Sequence, residues 1–170
     1  MKNKIIIISD KIQSGKTTFL LQAINNQTNV GGILTPIIND KRMFYDIATK
    51  NYFEIEAVKN ERSLQVGKYF FSLEAFTKAQ NILLEQSKNK NINYLIIDEI
   101  GPLEIKKEQG FFSMLKNLLN NSFAFTLILV VRQQLLEECV FKFNIQEPIV
   151  LSIENCINEQ KILFTQNKLL

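Results

Sequence analysis

Histidine and tryptophan are both absent from this 170-residue chain, cysteine occurs only twice, proline three times and glycine six times. Without an imidazole there can be no histidine-bound metal centre, no Ser-His-Asp triad and no Cys-His pair. Cys139 and Cys156 stand apart with no C-x-x-C spacing, so neither a zinc knuckle nor a redox dithiol is written here, and a reduced, cytoplasmic protein is expected. Long apolar runs are missing too. The isoleucines Ile5–Ile8 are followed at once by Ser9, Asp10 and Lys11, too short a run for a signal peptide or a membrane span, so no membrane partner is expected. Nor is there an excess of one charge. Twenty Lys and Arg against seventeen Asp and Glu leave +3, spread along the chain, so nucleic acid, which needs a concentrated basic face, is not indicated.

What is present is an ordinary globular balance of 46% hydrophobic and 22% charged residues, at a length that suits one monomeric domain over 1–170. Ile5–Ile8 has the continuous β-branched character of a strand buried on both faces of a parallel sheet. A polar turn over Ser9–Gly15 leads to a helix over Lys16–Ala23. Residues 31–58 read as a β-hairpin excursion, with Ile33–Ile38 and Met43–Ala48 joined at Asn39-Asp40, followed by loose loops at Lys59–Ser63. Ser72 is a helix N-cap candidate ahead of the stripe Phe76, Ala79, Leu83 and Leu84. Lys88–Asn93 is a solvated helix end and loop before the strand Tyr94–Ile97, which closes on Asp98-Glu99. A helix near Phe111–Leu119, a strand over Phe125–Val131, a helix near Leu135–Phe141, a strand over Ile149–Ile153 and a final helix complete the chain. Strands alternating with helices predict an α/β fold with a mainly parallel sheet and right-handed crossovers.

The first strand runs into Asp10-Lys-Ile-Gln-Ser-Gly-Lys-Thr17, the phosphate-loop pattern G-x-x-x-x-G-K-[ST] with its first glycine replaced by Asp10. Such a loop captures anions with consecutive backbone N–H groups and the positive end of the following helix. Residues Gln13, Ser14, Gly15, Lys16, Thr17 and Thr18 are therefore the expected nucleotide-binding set. Lys16 is expected to reach the β- and γ-phosphates, Thr17 to offer its hydroxyl to Mg²⁺, and Thr18 to bond the α-phosphate. Against this stands a plain surface turn with a lysine at a helix start. A strand before the motif and a helix after it favour the nucleotide. Asp10 is awkward, because a carboxylate beside phosphates is repelled unless it points away or pairs with Lys11.

Leu95-Ile-Ile-Asp98-Glu99 supplies an apolar strand with acids at its carboxyl end, the edge that parallel strands share with the phosphate loop. Asp98 is the expected Mg²⁺ ligand, and Glu99 the group that orients or deprotonates the attacking water. A helix-cap acid and a solvated neighbour are the plainer readings of the two. Arg132, at the end of the strand Leu127–Val131, should emerge on the same edge, where it is equally suited to the γ-phosphate or to bulk solvent.

With these residues in place, the chain resembles the small nucleoside-triphosphatase family known from thermophiles and as the human cancer-related nucleoside triphosphatase. Four blocks in order carry the likeness: Gly15-Lys-Thr-Thr18, Gly32-Ile-Leu-Thr-Pro36, Val66-Gly-Lys-Tyr-Phe-Phe-Ser-Leu-Glu74 and Ile97-Asp-Glu-Ile-Gly-Pro-Leu-Glu104. Arg42-Met43-Phe44 and Ile153-Glu-Asn155 match further blocks loosely. The resemblance implies a RecA-like P-loop domain that hydrolyses ATP, GTP and related triphosphates slowly, with Mg²⁺ and little base selectivity. No NKxD-type guanine-reading motif is present. The departures are Asp10 and Gln13 in place of loop glycines and Ile37 in place of an acid. Within Gly67-Lys68-Tyr69, a strand edge with a packed tyrosine is preferred to a lid that reaches the phosphates. Besides hydrolysis, the same machinery suits a weak nucleotide-binding module, or a kinase with an acceptor pocket beneath the excursion.

Overall fold

Residues 3–57 and 62–158 are described in a computed structural model of the chain. Among these residues ten strands and six α-helices follow in the order β1 (Lys4–Asp10), α1 (Lys16–Ala23), β2 (Val30–Leu34), β3 (Ile37–Ile38), β4 (Lys41–Asp46), β5 (Asn51–Glu54), β6 (Ser63–Val66), β7 (Tyr69–Ser72), α2 (Leu73–Ser87), β8 (Tyr94–Ile100), α3 (Pro102–Lys107), α4 (Phe112–Leu119), β9 (Thr126–Arg132), α5 (Leu136–Lys142), β10 (Ile149–Leu151) and α6 (Ile153–Asn158). The main sheet has the order β10-β1-β9-β8-β2-β4-β3, with β5 on β4. From β10 to β2 all pairings are parallel, and β4 then pairs antiparallel with β2, β3 and β5.

The continuous apolar runs are explained by burial from both sides. Ile5 and Ile7 point into one core with Leu95, Ile97, Leu127 and Leu129, covered by Phe76 and Leu83 of α2 and Leu115 of α4. Ile6 and Ile8 point the other way, with Ile96, Ile128 and Val130, onto Phe19 and Leu20 of α1 and Cys156 of α6. The first core ends in a phenylalanine cluster in which Phe76 lies 5.1 Å from Phe44 and 5.0 Å from Phe111, ring centre to ring centre. Ser72 caps α2 as its sequence predicts, its hydroxyl accepting the Ala75 N–H at 3.1 Å.

The structure departs from the sequence-based expectations at several boundaries. Val30–Leu34 does not belong to the hairpin excursion. It is a buried strand parallel to β8, because Gly32 lets it lie close to the Ile96 backbone and Gly31 leaves room for the Gln86 and Ile92 side chains. The excursion starts beyond Pro36, and Asn39 and Asp40 turn it with φ of 50° and 61°, the paired left-handed geometry of a tight hairpin. Its end at Val58, and most of the predicted loop at 59–63, lie outside the described residues. Strand β8 runs on through Asp98 and Glu99 to Ile100 rather than stopping at Ile97. The last strand is shorter than predicted, ending at Leu151 so that α6 can begin at Ile153. Three elements went unpredicted: β5, which pairs antiparallel with β4, α3, with Pro102 at its first position, and the separate two-stranded β6–β7 hairpin. Tyr69 in that hairpin is 52% exposed instead of packed.

Candidate active site

Strand β9 lies between β1 and β8, so the loop after β1, the acids of β8 and Arg132 at the end of β9 all emerge at one sheet edge. The loop turns into α1 at Gly15, whose φ of 88° is a left-handed value that a side chain would strain, with open space where a Cβ would stand. Gln13 also has a left-handed backbone, φ 60°, which costs on the order of 1 kcal/mol for a non-glycine residue. Ser14 is half-buried at the loop, and Thr18 is exposed on the first turn of α1. The Lys16 ammonium folds back over the loop and donates to Lys11 O (2.6 Å), Asp10 O (3.1 Å) and Ser14 Oγ (3.1 Å). Partial burial lowers its pKa, against the opposing pull of Asp10 and Asp98.

Asp10 turns away from this cradle. Its Oδ1 accepts the Lys11 N–H at 2.7 Å and its Oδ2 the Ile153 N–H at 3.3 Å, tying β1 to the start of α6, and the Lys11 bond in particular holds its pKa below the usual carboxylate range. Its φ is not among the positive values, so a glycine is not required at this position. The replacement therefore strains nothing and aims no charge at a phosphate. We expect Asp10→Gly to lower Tm by a few degrees, through loss of these bonds at up to about 1 kcal/mol, without raising phosphate release more than twofold. Melting curves and a phosphate-release assay check this. A tenfold faster variant would show that Asp10 does impede the loop.

Asp98 is 2% exposed. Thr17 Oγ1 (2.8 Å), Thr35 N–H (2.9 Å) and Thr35 Oγ1 (2.9 Å) all donate to its Oδ2. Burial pushes its pKa up, Glu99 adds repulsion, and the Thr17 and Thr35 donors pull it back part of the way. The register of β8 on β9 shifts between Ile97 and Ile100, and Glu99 takes φ 62° there. This bulge re-aims the two acids separately. Asp98 turns toward the loop, whereas Glu99 is held by Arg132 Nη2 at 2.7 Å on one oxygen and by Arg42 Nη1 on the other. The predicted residues Lys16, Thr17, Asp98, Glu99 and Arg132 are thus brought together at one edge.

Three contributors to the site were missed as site residues. Thr35 and Arg42 stand in the Gly32–Pro36 and Arg42–Phe44 stretches, where nothing in the sequence pattern gives their side chains a task, and only the pairing of β2 and β4 with the sheet brings them to Asp98 and Glu99. Glu104 on α3 is the third. Its carboxylate, 2% exposed, accepts the Gly101 N–H (3.0 Å) and the Phe111 N–H (3.1 Å), fixing the turn that leaves Glu99. Burial raises its pKa to about 7. Because the folded value lies above the unfolded one, the folded chain holds the extra proton between pH 4.5 and 7, and stability falls as pH rises through that window. The Glu104 share of this loss amounts to up to about 3 kcal/mol, or roughly 5–10 °C in Tm, and buried Asp98, whose pKa is also raised, adds to it in the same direction. Asp10 and Glu108 have lowered pKa values, so their contributions are already complete below this range. Melts without Mg²⁺ from pH 5 to 8 check the trend, and a flat or rising profile would contradict it.

A model of the family described as NTPase matches residues 5–163. The chain belongs to the NTPase family. Two solved structures share its fold. A human cancer-related nucleoside triphosphatase is 20% identical, with 88% of each chain covered and a TM-score of 0.64. THEP1 from the hyperthermophile Aquifex aeolicus is 14% identical, with 95% of this chain and 99% of that chain covered and a TM-score of 0.73. No curated protein matches by sequence. The family expectation and the α/β architecture with a mainly parallel sheet are borne out together. No helix among the described residues is long and apolar enough to cross a membrane.

Proposed function

We propose that the chain is a Mg²⁺-dependent nucleoside-triphosphate phosphohydrolase, with slow turnover and little selection among bases. The observation that carries this is the 2.8 Å bond from Thr17 at the head of α1 to buried Asp98 on β8. It joins a phosphate cradle to a carboxylate across an intervening strand, as a triphosphate with a divalent cation needs. The donor set suits Mg²⁺. A hydroxyl oxygen and a carboxylate are hard ligands, and this cation completes its octahedron with phosphate oxygens and water rather than an all-protein cage. No group of three or more acids, cysteines or histidines that could cage a metal occurs among the described residues, which matches that chemistry. When bound, Mg²⁺ would neutralise charge on the β- and γ-phosphates.

Residues 13–18 bind the phosphates, with Lys16 leaving its carbonyl partners for the β,γ oxygens and Thr18 meeting the α-phosphate. Thr17 and Asp98 would hold the metal. Water attacks the γ-phosphorus, its proton passes to Glu99, the bond from the γ-phosphorus to the β,γ-bridging oxygen breaks, and the nucleoside diphosphate leaves with that electron pair. Glu99 begins engaged by Arg132 and Arg42. An incoming γ-phosphate competes for Arg132 and so releases the carboxylate for water. That exchange supports a slow reaction, since the catalytic carboxylate must first lose a strong partner. The test is phosphate release from ATP, GTP, CTP and UTP with Mg²⁺, alongside an EDTA control. We expect comparable rates for all four, reduced at least a hundredfold by chelation. Release that persists in EDTA, or none with any nucleotide, would refute the proposal.

A further inference from the structure

A cavity of about 390 Å³ opens beside Glu99 and Arg132, and none of residues 10–18 lines it. It lies on the β2–β4 side of Asp98, walled by the Phe44, Phe76 and Phe111 cluster and covered by the β6–β7 hairpin with Val66, Lys68 and Tyr69. Its size decides what it can serve. A hydrolytic water needs about 30 Å³, whereas organic ligands occupy roughly 300–1,000 Å³. The cavity is more than ten times larger than hydrolysis requires. The nucleotide has little reason to fill it. The residues assigned to the phosphates, 13–18, are all absent from its lining, so the proposed nucleotide pose leaves it empty.

We propose that this cavity is a second small-molecule site, taking a flat aromatic anion that lies against the phenylalanines and displaces the attacking water from Glu99. The aromatic preference follows from the walls, since offset and edge-on ring contacts add to apolar burial. The negative charge follows from the rim. Asp98 is satisfied by Thr17 and Thr35, Glu99 by its two arginines and Glu104 by two backbone N–H groups. Lys68, by contrast, meets no carboxylate among the described residues and only overhangs the Tyr69 ring, 5.4 Å from its centre. It is exposed at the tip of the hairpin, beside Gly67 at φ 58°, and can close over an anion at little cost.

The inhibition arm rests on the hydrolase reading above, whereas the binding arm does not. The probe is 8-anilinonaphthalene-1-sulfonate, a fluorescent aromatic anion. We expect saturable binding of one probe per chain, unaffected by saturating Mg-ADP, and a fall in kcat with unchanged KM when it is added to the phosphate-release assay. Val66→Trp, which fills the cavity, should weaken binding more than tenfold. Circular dichroism and stabilisation by Mg-ADP show whether that variant is folded. Lys68→Ala, at an exposed turn, should weaken the probe roughly tenfold and needs no repacking. Non-saturable fluorescence, binding insensitive to both substitutions, or competition with Mg-ADP would each overturn the proposal, the last by assigning the cavity to the nucleotide. If hydrolysis itself is absent, equilibrium binding in the presence and absence of Mg-ADP still decides the question.

Discussion

Lys16→Ala is expected to reduce phosphate release from Mg-ATP by a factor of about 10² to 10³, the cost of removing one preorganised charge from a transition state. The physical case is local. Lys16 is the cation of the loop itself, and its ammonium is held by two carbonyls and a hydroxyl, partners that a phosphate oxygen with formal charge would outcompete. Partial burial already makes the charged form less comfortable than in water, so a triphosphate restores what the loop removed. Lys11 is exposed and Arg132 stands at the end of β9, so neither takes the place of an ammonium inside the loop. The same substitution should abolish stabilisation by Mg-nucleotide in thermal melts while leaving the unliganded protein folded. A variant that hydrolyses ATP at more than a tenth of the wild-type rate would remove the phosphate loop from the mechanism.

The largest stability effect is expected at Gly32, far from any phosphate chemistry. Its φ is 124°, and an added Cβ would stand 2.0 Å from the Ile96 carbonyl oxygen and 2.6 Å from the Ile96 nitrogen. Those are backbone atoms of the paired strand β8 and cannot rotate away. Gly32 N–H is also held by Gln86 Oε1 at 2.5 Å, and Gln86 Nε2 donates in turn to buried Asp46 at 2.7 Å. Separating β2 from β8 would thus disturb the strand that carries Asp98 and the network that orients β4. We expect Gly32→Ala to cost more than about 4 kcal/mol, a large part of the total stability of an ordinary domain, and to appear as insoluble protein or a Tm lowered by at least roughly 10 °C. Gly15→Ala is a contrast, because its Cβ would meet nothing within 4 Å and only the backbone strain remains. Equal melting temperatures for Gly32→Ala and the wild type would mean that β2 does not pack on β8 in this way.

The phosphate loop was legible because its signal is contiguous. A strand, a turn and a helix within twenty residues carry their own geometry, and Lys16 and Thr17 need no distant partner to be recognised. Asp98 could be read for a related reason, since parallel strands deliver their carboxyl ends to a common edge. Asp10 misled in the opposite direction. Its place in the phosphate-loop pattern suggested conflict, but its carboxylate is held by the adjacent Lys11 N–H and by the Ile153 N–H, 143 residues away. Arg42 was undervalued because it reaches Glu99 only through an antiparallel strand, and Glu104 because its partners, the Gly101 and Phe111 N–H groups, carry no side-chain signature.

From the order of residues alone came the parts with a strong local pattern: the two-sided strands, the helix after Gly15, the cation of the loop and the acids after Ile97. Folding in three dimensions settled which charges meet. Glu99 sits between two arginines, Asp10 turns to the Lys11 and Ile153 N–H groups, and the hairpin at residues 63–72 roofs an aromatic cavity beside Glu99 and Arg132. Hydrophobic period is written every two or four residues along the chain. Electrostatic pairing depends on distances between segments that only the packed sheet brings within a few ångströms.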